Sequence, residues 1–156
     1  MDEKLKWVED EARANAAFHV ASADVLAKEA NTTLNLMLVG ASGSLAYMVT
    51  LAERGGWSWS AAGMGAVSAY LFMLSAILVF QCLRIRPIWP TANEPENLIK
   101  SDLALSDLIT DQLASKQRCI IRNRDRNDEV GMWLNRCRVA VTVTPIVFVL
   151  AAVWVY

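Results

Sequence analysis

One short run of this sequence has residue types that can bind a ligand, and it is rich in arginine. Arg122-Asn123-Arg124-Asp125-Arg126-Asn127-Asp128-Glu129 mixes basic residues with polar and acidic ones. Several guanidinium groups on one segment can form an anion site, since each offers planar, charged donors. A solvated surface, or one that faces lipid headgroups, is the more common use of such a run. The residues alone leave both interpretations open.

Residue types that carry enzymatic chemistry are few and poorly spaced. His19 is the single histidine, and a lone histidine on a helix usually has a structural role. Cys82, Cys119 and Cys137 show no Cys-x-x-Cys spacing, so we expect packing residues rather than a disulfide or a metal site. Phosphate-binding and nucleophile-elbow motifs are absent, and Gly63-x-Gly65 lies inside an apolar run. These features argue against an enzyme, a metal centre and a bound cofactor.

The elements that must position the arginines are strongly apolar. The chain has 156 residues, of which 54% are hydrophobic, and its mean hydropathy of +0.28 is high for a soluble domain. Charged residues are absent from Ala30–Ala52, Gly55–Leu83 and Val139–Tyr156. Each run has about 18 residues or more, enough to cross a hydrocarbon core as a helix. The sequence predicts an all-α membrane protein with three transmembrane helices and a small cytoplasmic helical bundle.

Basic residues indicate the orientation, because lysine and arginine beside membrane spans are retained in the cytoplasm. The stretch from Arg84 to Arg138 carries ten of them, whereas the loop between the first two runs carries only Arg54. We therefore expect a cytoplasmic N-terminus and a C-terminus on the other side. The outer aromatic belt would contain Trp57, Trp59, Trp154 and Tyr156, and the inner belt Trp89 and Trp133.

These patterns divide the chain into four segments. Residues 1–30 are predicted to be a cytoplasmic N-terminal helix, 31–83 a two-helix transmembrane hairpin, 84–138 a cytoplasmic helical segment, and 139–156 the third transmembrane helix. Small residues recur at four-residue spacing in the hairpin, namely Gly40, Ser44, Ala61, Gly65 and Ala69. This spacing favours close packing of the two spans, with a dedicated oligomer face as the alternative.

Both cytoplasmic segments show helical periodicity. The N-terminal stripe contains Leu5, Val8, Ala12, Ala16, Val20 and Ala23, and the second contains Leu98, Ile99, Leu103, Leu105, Leu108, Ile109, Leu113, Ile120 and Ile121. The second stripe needs a partner, which the N-terminal helix of the same or a neighbouring subunit can supply. We therefore expect a homo-oligomer embedded in the lipid bilayer.

Three short stretches flank the predicted spans: Asp24-Val25-Leu26-Ala27-Lys28-Glu29-Ala30, Leu83-Arg84-Ile85-Arg86-Pro87 and Trp133-Leu134-Asn135-Arg136-Cys137-Arg138. Together with the order of the elements, they are similar to transmembrane effectors of the Pycsar antiphage systems. That family resembles this chain in its N-terminal helix, two-span hairpin, helical cytoplasmic segment and last span.

The resemblance implies an effector of the bacterial inner membrane that impairs the membrane and arrests growth when a cyclic nucleotide appears. The ligand would be cyclic CMP or cyclic UMP, made by a nucleotide cyclase of the same system, and no nucleic acid partner is expected. Residues that would contact it are Arg84, Arg86, Lys116, Arg118, Arg122, Arg124 and Arg126. The alternative is a structural or regulatory membrane subunit that anchors a partner complex without forming a pore.

Overall fold

The computed structural model describes residues 3–55, 58–84, 88–89 and 105–155. Four α-helices make up almost all of this part of the chain: α1 is Glu3–Gly55, α2 is Trp59–Leu78, α3 is Leu105–Thr142 and α4 is Thr144–Val155. Five residues of π-helix, Val79–Leu83, continue directly from α2. The prediction of an almost wholly helical protein is confirmed over these residues.

Within the described residues, two helical stretches are long and apolar enough to cross a membrane. They are Lys6–Arg54, within α1, and Trp59–Leu83, which joins α2 to the π-helical turn. The third charge-free run differs from the expected single helix, since it is shared between the end of α3 and α4. Those two helices are bent by 46° at Val143, and they count as a third span only if the bent pair is taken as one.

The bend between α3 and α4 lies beside Pro145. Proline has no N–H to donate to the carbonyl four residues earlier, which here belongs to Val141. The Thr144 hydroxyl donates to that carbonyl instead, at 2.7 Å, and the Thr142 hydroxyl donates to the Val139 carbonyl at 2.7 Å. Threonine side chains therefore satisfy carbonyls at the break, as an apolar environment requires.

The chain forms two compact units. The first lies within Met1–Leu26 and Ile85–Glu129, and the second within Ala27–Arg84 and Val130–Tyr156. The charge-free runs belong to the second unit, whereas the arginine-rich run Arg122–Glu129 belongs to the first.

In the second unit, α1 and α2 form an antiparallel hairpin. Ser68 donates its hydroxyl to the Ala41 carbonyl at 2.9 Å. One helix turn away, a Cβ on Gly65 would lie 2.8 Å from the Met48 sulfur. Small residues thus bring the two backbones close, as predicted, although Ala69 is exposed and takes no part in this contact.

Helix α2 also packs against α3 and α4 in the second unit. The Tyr70 hydroxyl donates to the Ala140 carbonyl at 2.8 Å. Trp59 meets Phe148 edge-on, with 6.5 Å between ring centroids, and a Cβ on Gly63 would lie 2.7 Å from the Phe148 ring. A glycine is required at position 63 because any side chain there would displace the aromatic ring.

In the first unit, α3 buries Ile120, Asn123 and Asn127, at steps of three and four residues, and α1 buries Ala16. The predicted stripes contained two residues that are exposed instead, Val20 at 39% and Ile121 at 37%. Packing against other elements, as well as apolar spacing, decides which residues of a helix are buried. Here two asparagines take buried positions. The described residues do not include Leu98, Ile99, Leu103, Trp57 or Tyr156, nor the side chains of Leu5 and Leu105.

Candidate functional site

Asn123 of α3 holds the backbone of Trp89. The Asn123 carbonyl oxygen accepts from the Trp89 N–H at 3.1 Å, and its amide NH₂ donates to the Trp89 carbonyl at 3.1 Å. The asparagine is 3% exposed, so a buried side-chain amide is satisfied by two backbone groups. This pair of bonds fixes the segment at Trp89 against α3.

The Trp89 ring in turn positions Arg122. The Arg122 guanidinium carbon lies 4.3 Å from the centroid of the indole ring, within the range of a cation–π contact. Such stacking occupies one face of the guanidinium and leaves its N–H groups at the planar edge free to donate. Arg122 is exposed, so those edge donors can reach a ligand from solvent.

Asn127 makes the second buried polar contact of the first unit. Its amide donates to the His19 carbonyl of α1 at 2.8 Å, and the residue is 8% exposed. The His19 ring packs edge-on against Phe18, with 5.5 Å between centroids. The His19 carbonyl and the His19 ring thus both make contacts within the first unit.

Lys116 is engaged with α1 rather than open to a ligand. Its ammonium donates to the Glu9 carboxylate at 3.1 Å, and its side chain is 16% exposed. This hydrogen bond and the charge of Lys116 hold the pKa of the Glu9 carboxyl below its ordinary value. Arg13 lies 3.4 Å from the same carboxylate oxygen. Lys116 therefore stabilises the contact between α1 and α3.

Arg126 differs from its neighbours in burial. Its Nε is buried and has no hydrogen-bond partner among the described residues, although the residue as a whole is half-buried. A buried donor without an acceptor costs about 1–3 kcal/mol, more when the group is charged. The position therefore suits a water molecule or an anion that accepts from Nε.

The seven arginines and lysines predicted to bind a ligand do not form one group. Arg118, Arg122 and Arg126 recur at four-residue spacing and so share one side of α3. We call these three residues the arginine face. Lys116 is paired with Glu9, and Arg124 lies 3.4 Å from Asp125 with both side chains exposed. Arg84 is exposed but belongs to the second unit, and Arg86 lies outside the described residues.

The buried asparagines belong to the candidate site, yet the sequence does not single them out, because both lie within the charged run. Their spacing carried a usable signal: Ile120, Asn123 and Asn127 follow the three-and-four-residue step of a helix seam. Trp89 was assigned to an aromatic belt, and its pairing with Asn123 joins residues distant in sequence. Only the folded chain reveals that pairing.

The described residues include no group of three His, Cys, Asp or Glu side chains placed to hold a metal ion. Cys82 and Cys137 are buried and Cys119 is half-buried, as expected of packing residues. No protein-family model, curated protein or solved structure matches the chain.

Proposed function

We propose that this chain is a three-span protein of the bacterial inner membrane, with its N-terminus and residues 84–138 in the cytoplasm. Support comes from Glu29 and Arg138, the charged residues that immediately precede the first and third charge-free runs. Their side chains form an ion pair at 3.0 Å. The two runs therefore begin at the same end of the second unit, as two spans entering from one side would.

The proposed activity is that of a membrane-impairing effector, silent until a cyclic nucleotide binds and then responsible for growth arrest. The observation that carries this proposal is the buried Nε of Arg126 on the arginine face, which has no hydrogen-bond partner within the described part of the chain. A phosphodiester supplies the acceptor oxygens that this donor lacks, and Arg122 is available one helix turn away. The Trp89 ring, which stacks on Arg122, offers an aromatic edge beside that guanidinium.

Ligand binding at the arginine face can affect the spans because the same helices continue into them. The arginine face lies on α3, which continues to Thr142. Helix α3 contacts α1, and α1 continues to Gly55. A ligand changes the state of such a protein only if it binds the two states with different affinity. Arg126 meets this requirement if its Nε finds an acceptor in the active state alone.

The second candidate is a structural or regulatory subunit that anchors a partner complex and forms no pore. Two pairings favour it. Lys116 is already bound to Glu9, and the Asn123 amide is already satisfied by Trp89, so both stiffen the first unit without any ligand. A stiff unit of this kind suits a docking platform.

Dye release from liposomes separates the two functions. The purified full chain, reconstituted with a trapped fluorescent dye, should release it on addition of cyclic CMP or cyclic UMP and not of cyclic AMP. Replacing both Arg122→Gln and Arg126→Gln should raise the nucleotide concentration needed by about a hundredfold, since each lost charge-assisted bond contributes about 1.5–3 kcal/mol. Arg124→Gln is the matched control, because Arg124 is exposed and lies beside Asp125.

The result decides between the candidates. Release that needs no nucleotide, or that is the same in the double variant, removes the arginine face from the function. No release under any nucleotide, from protein shown to be inserted and folded, favours the anchoring subunit. Capture of a defined membrane complex by the same protein would then complete that assignment.

A further inference from the structure

A long groove opens along the second unit between α1, α2 and the bent α3–α4 pair. Its volume is about 760 Å³, within the range of sites that hold small ligands. Apolar side chains form most of its lining, among them Leu36, Met64, Val67 and Phe148. Leu36 is 69% exposed, so the groove is open on one side.

The bend at Pro145 contributes directly to this groove. Thr142, Thr144 and Pro145 all line it. The two threonine hydroxyls donate to the carbonyls of Val139 and Val141, so they present little unsatisfied polarity to the groove. The interior is therefore suited to a hydrocarbon chain rather than to a polar solute.

One end of the groove is charged. Arg138 lines it there, donates through Nε to the Thr33 hydroxyl oxygen at 3.3 Å, and forms an ion pair with Glu29 in which Nη1 lies 3.0 Å from the carboxylate oxygen. The Thr33 hydroxyl itself donates to the Glu29 backbone carbonyl at 2.8 Å. The bond to Thr33 uses one of the five N–H donors of the guanidinium, and the Arg138 side chain is 45% exposed. The donors that remain can meet an anion at the mouth of the groove.

A second cation lies at the same end. Lys28 is exposed and precedes the groove-lining Thr32 by one helix turn, on the same side of α1. Lys28 and Arg138 together carry two positive charges against the single negative charge of Glu29. The mouth of the groove therefore complements one monovalent anion attached to an apolar chain.

We propose that this groove binds one anionic phospholipid, with an acyl chain between the helices and the phosphodiester at Arg138. The groove is apolar along its length and cationic at one end, which is the distribution of a single lipid molecule. A membrane-embedded chain meets such lipids at the level where its charge-free runs begin. The inference rests on the second unit alone and is independent of nucleotide control.

Native mass spectrometry of the full chain tests the proposal, with phosphatidylglycerol and phosphatidylcholine of identical acyl chains as the probes. We expect one phosphatidylglycerol to be retained per chain, with an affinity about tenfold above that of phosphatidylcholine. Equal retention of the two lipids would overturn the proposal, because the headgroup would then play no part.

Charge variants test the role of Arg138. Arg138→Gln should remove the preference for phosphatidylglycerol, whereas Arg136→Gln, on a residue that stacks on Trp133, should keep it. Like Arg138→Gln, Glu29→Gln breaks the ion pair between these two residues, but it leaves Arg138 in place. It therefore separates a role of Arg138 in binding from a role in folding. If Arg138 binds the phosphodiester, Glu29→Gln frees more donors and strengthens binding; if Arg138 serves only to pair with Glu29, both variants lose the preference and the proposal is wrong.

A variant whose larger side chain fills the groove is the last test of lipid binding there. Met64→Trp places an indole in the groove and should reduce retained phosphatidylglycerol about tenfold or more, whereas Met73→Trp, at a residue 53% exposed outside the groove lining, should not. Helical content measured by circular dichroism shows that each variant is folded. Undiminished retention in folded Met64→Trp protein would place the lipid elsewhere on the surface.

Discussion

Gly63 of α2 faces Phe148 of α4 so closely that a Cβ at position 63 would lie 2.7 Å from the ring and 3.2 Å from the Phe148 carbonyl oxygen. The ring could turn away, but the carbonyl belongs to the backbone and moves only with α4. This contact fixes how near the last helix approaches the hairpin, and it gives the third charge-free run a defined place in the second unit.

Gly63→Ala should therefore destabilise the second unit by about 1–3 kcal/mol, the usual cost of overpacking. Gly43→Ala is the control, because a Cβ there meets nothing within 4 Å and alanine is the better helix former. Thermal unfolding in mild detergent should give a lower midpoint for Gly63→Ala only. A shared decrease would indicate that both glycines serve the helix backbone rather than the contact with Phe148.

Tyr70→Phe should weaken the contact between α2 and α3 by about 1 kcal/mol, since it removes the hydroxyl bonded to the Ala140 carbonyl. The cost stays small because that carbonyl also accepts from the Val143 N–H at 3.0 Å. Tyr47→Phe, at a residue 54% exposed, should leave the unfolding midpoint unchanged. Equal midpoints for the two variants would show that the Tyr70 bond adds nothing to stability.

Reporter fusions test the proposed orientation. A reporter active only in the periplasm should be active after Tyr156 and silent when inserted at Asn93, because basic residues surround the second position. The ion pair between Glu29 and Arg138 brings the starts of the first and third runs together, so both spans should enter the membrane from the same side. The active fusion and the silent fusion should therefore be found in the same cells. Activity at Asn93 would reverse the assignment of a cytoplasmic second loop.

Acid should loosen the contact between Glu9 and Lys116. The pKa of Glu9 is lower in the folded chain than in the unfolded one, so its contribution to stability is present at neutral pH and is lost as the pH falls below about 4.3, the usual glutamate value. The midpoint of Glu9→Gln should lie below that of wild type at pH 7, and the gap should narrow as the pH falls through the lowered pKa of Glu9. Glu11→Gln, at an exposed position, serves as control; a gap that is constant with pH would exclude the ion pair as its cause.

The helical runs were predictable because their cause is local. A stretch such as Ala30–Ala52 has no charge to solvate, and its backbone must be satisfied within itself, so length and composition suffice. The bend at Val143 was missed although Pro145 is visible in the sequence. A proline in an apolar run signals a break, but it does not give the 46° angle, and the contacts on either side of the break, Tyr70 with Ala140 and Gly63 with Phe148, join residues distant in sequence.

The arginine-rich run Arg122–Glu129 shows where residue type stops being informative. Arg122, Arg124 and Arg126 are the same residue within five positions, yet one stacks on Trp89, one pairs with Asp125, and one has a buried Nε. Arg124 lies off the side of α3 that Arg122 and Arg126 share, and Trp89, which is distant in sequence, stacks on Arg122. The sequence therefore predicted a charged segment, and the fold distinguishes its members.

Asn123→Ala should release the backbone at Trp89, because it removes both the acceptor of the Trp89 N–H and the donor to its carbonyl. Losing one such bond changes a local opening equilibrium by about 1 kcal/mol or more, so amide exchange in the peptide that contains Trp89 should speed up about tenfold. Asn135→Ala, at an exposed position on the same helix, should leave that rate unchanged. Arg122 should lose its ordered ring partner along with the bond, so the double variant Asn123→Ala with Arg122→Gln should exchange no faster than Asn123→Ala alone. Exchange at the wild-type rate in Asn123→Ala would mean that the segment at Trp89 is held by other contacts and that Asn123 does not position the arginine face.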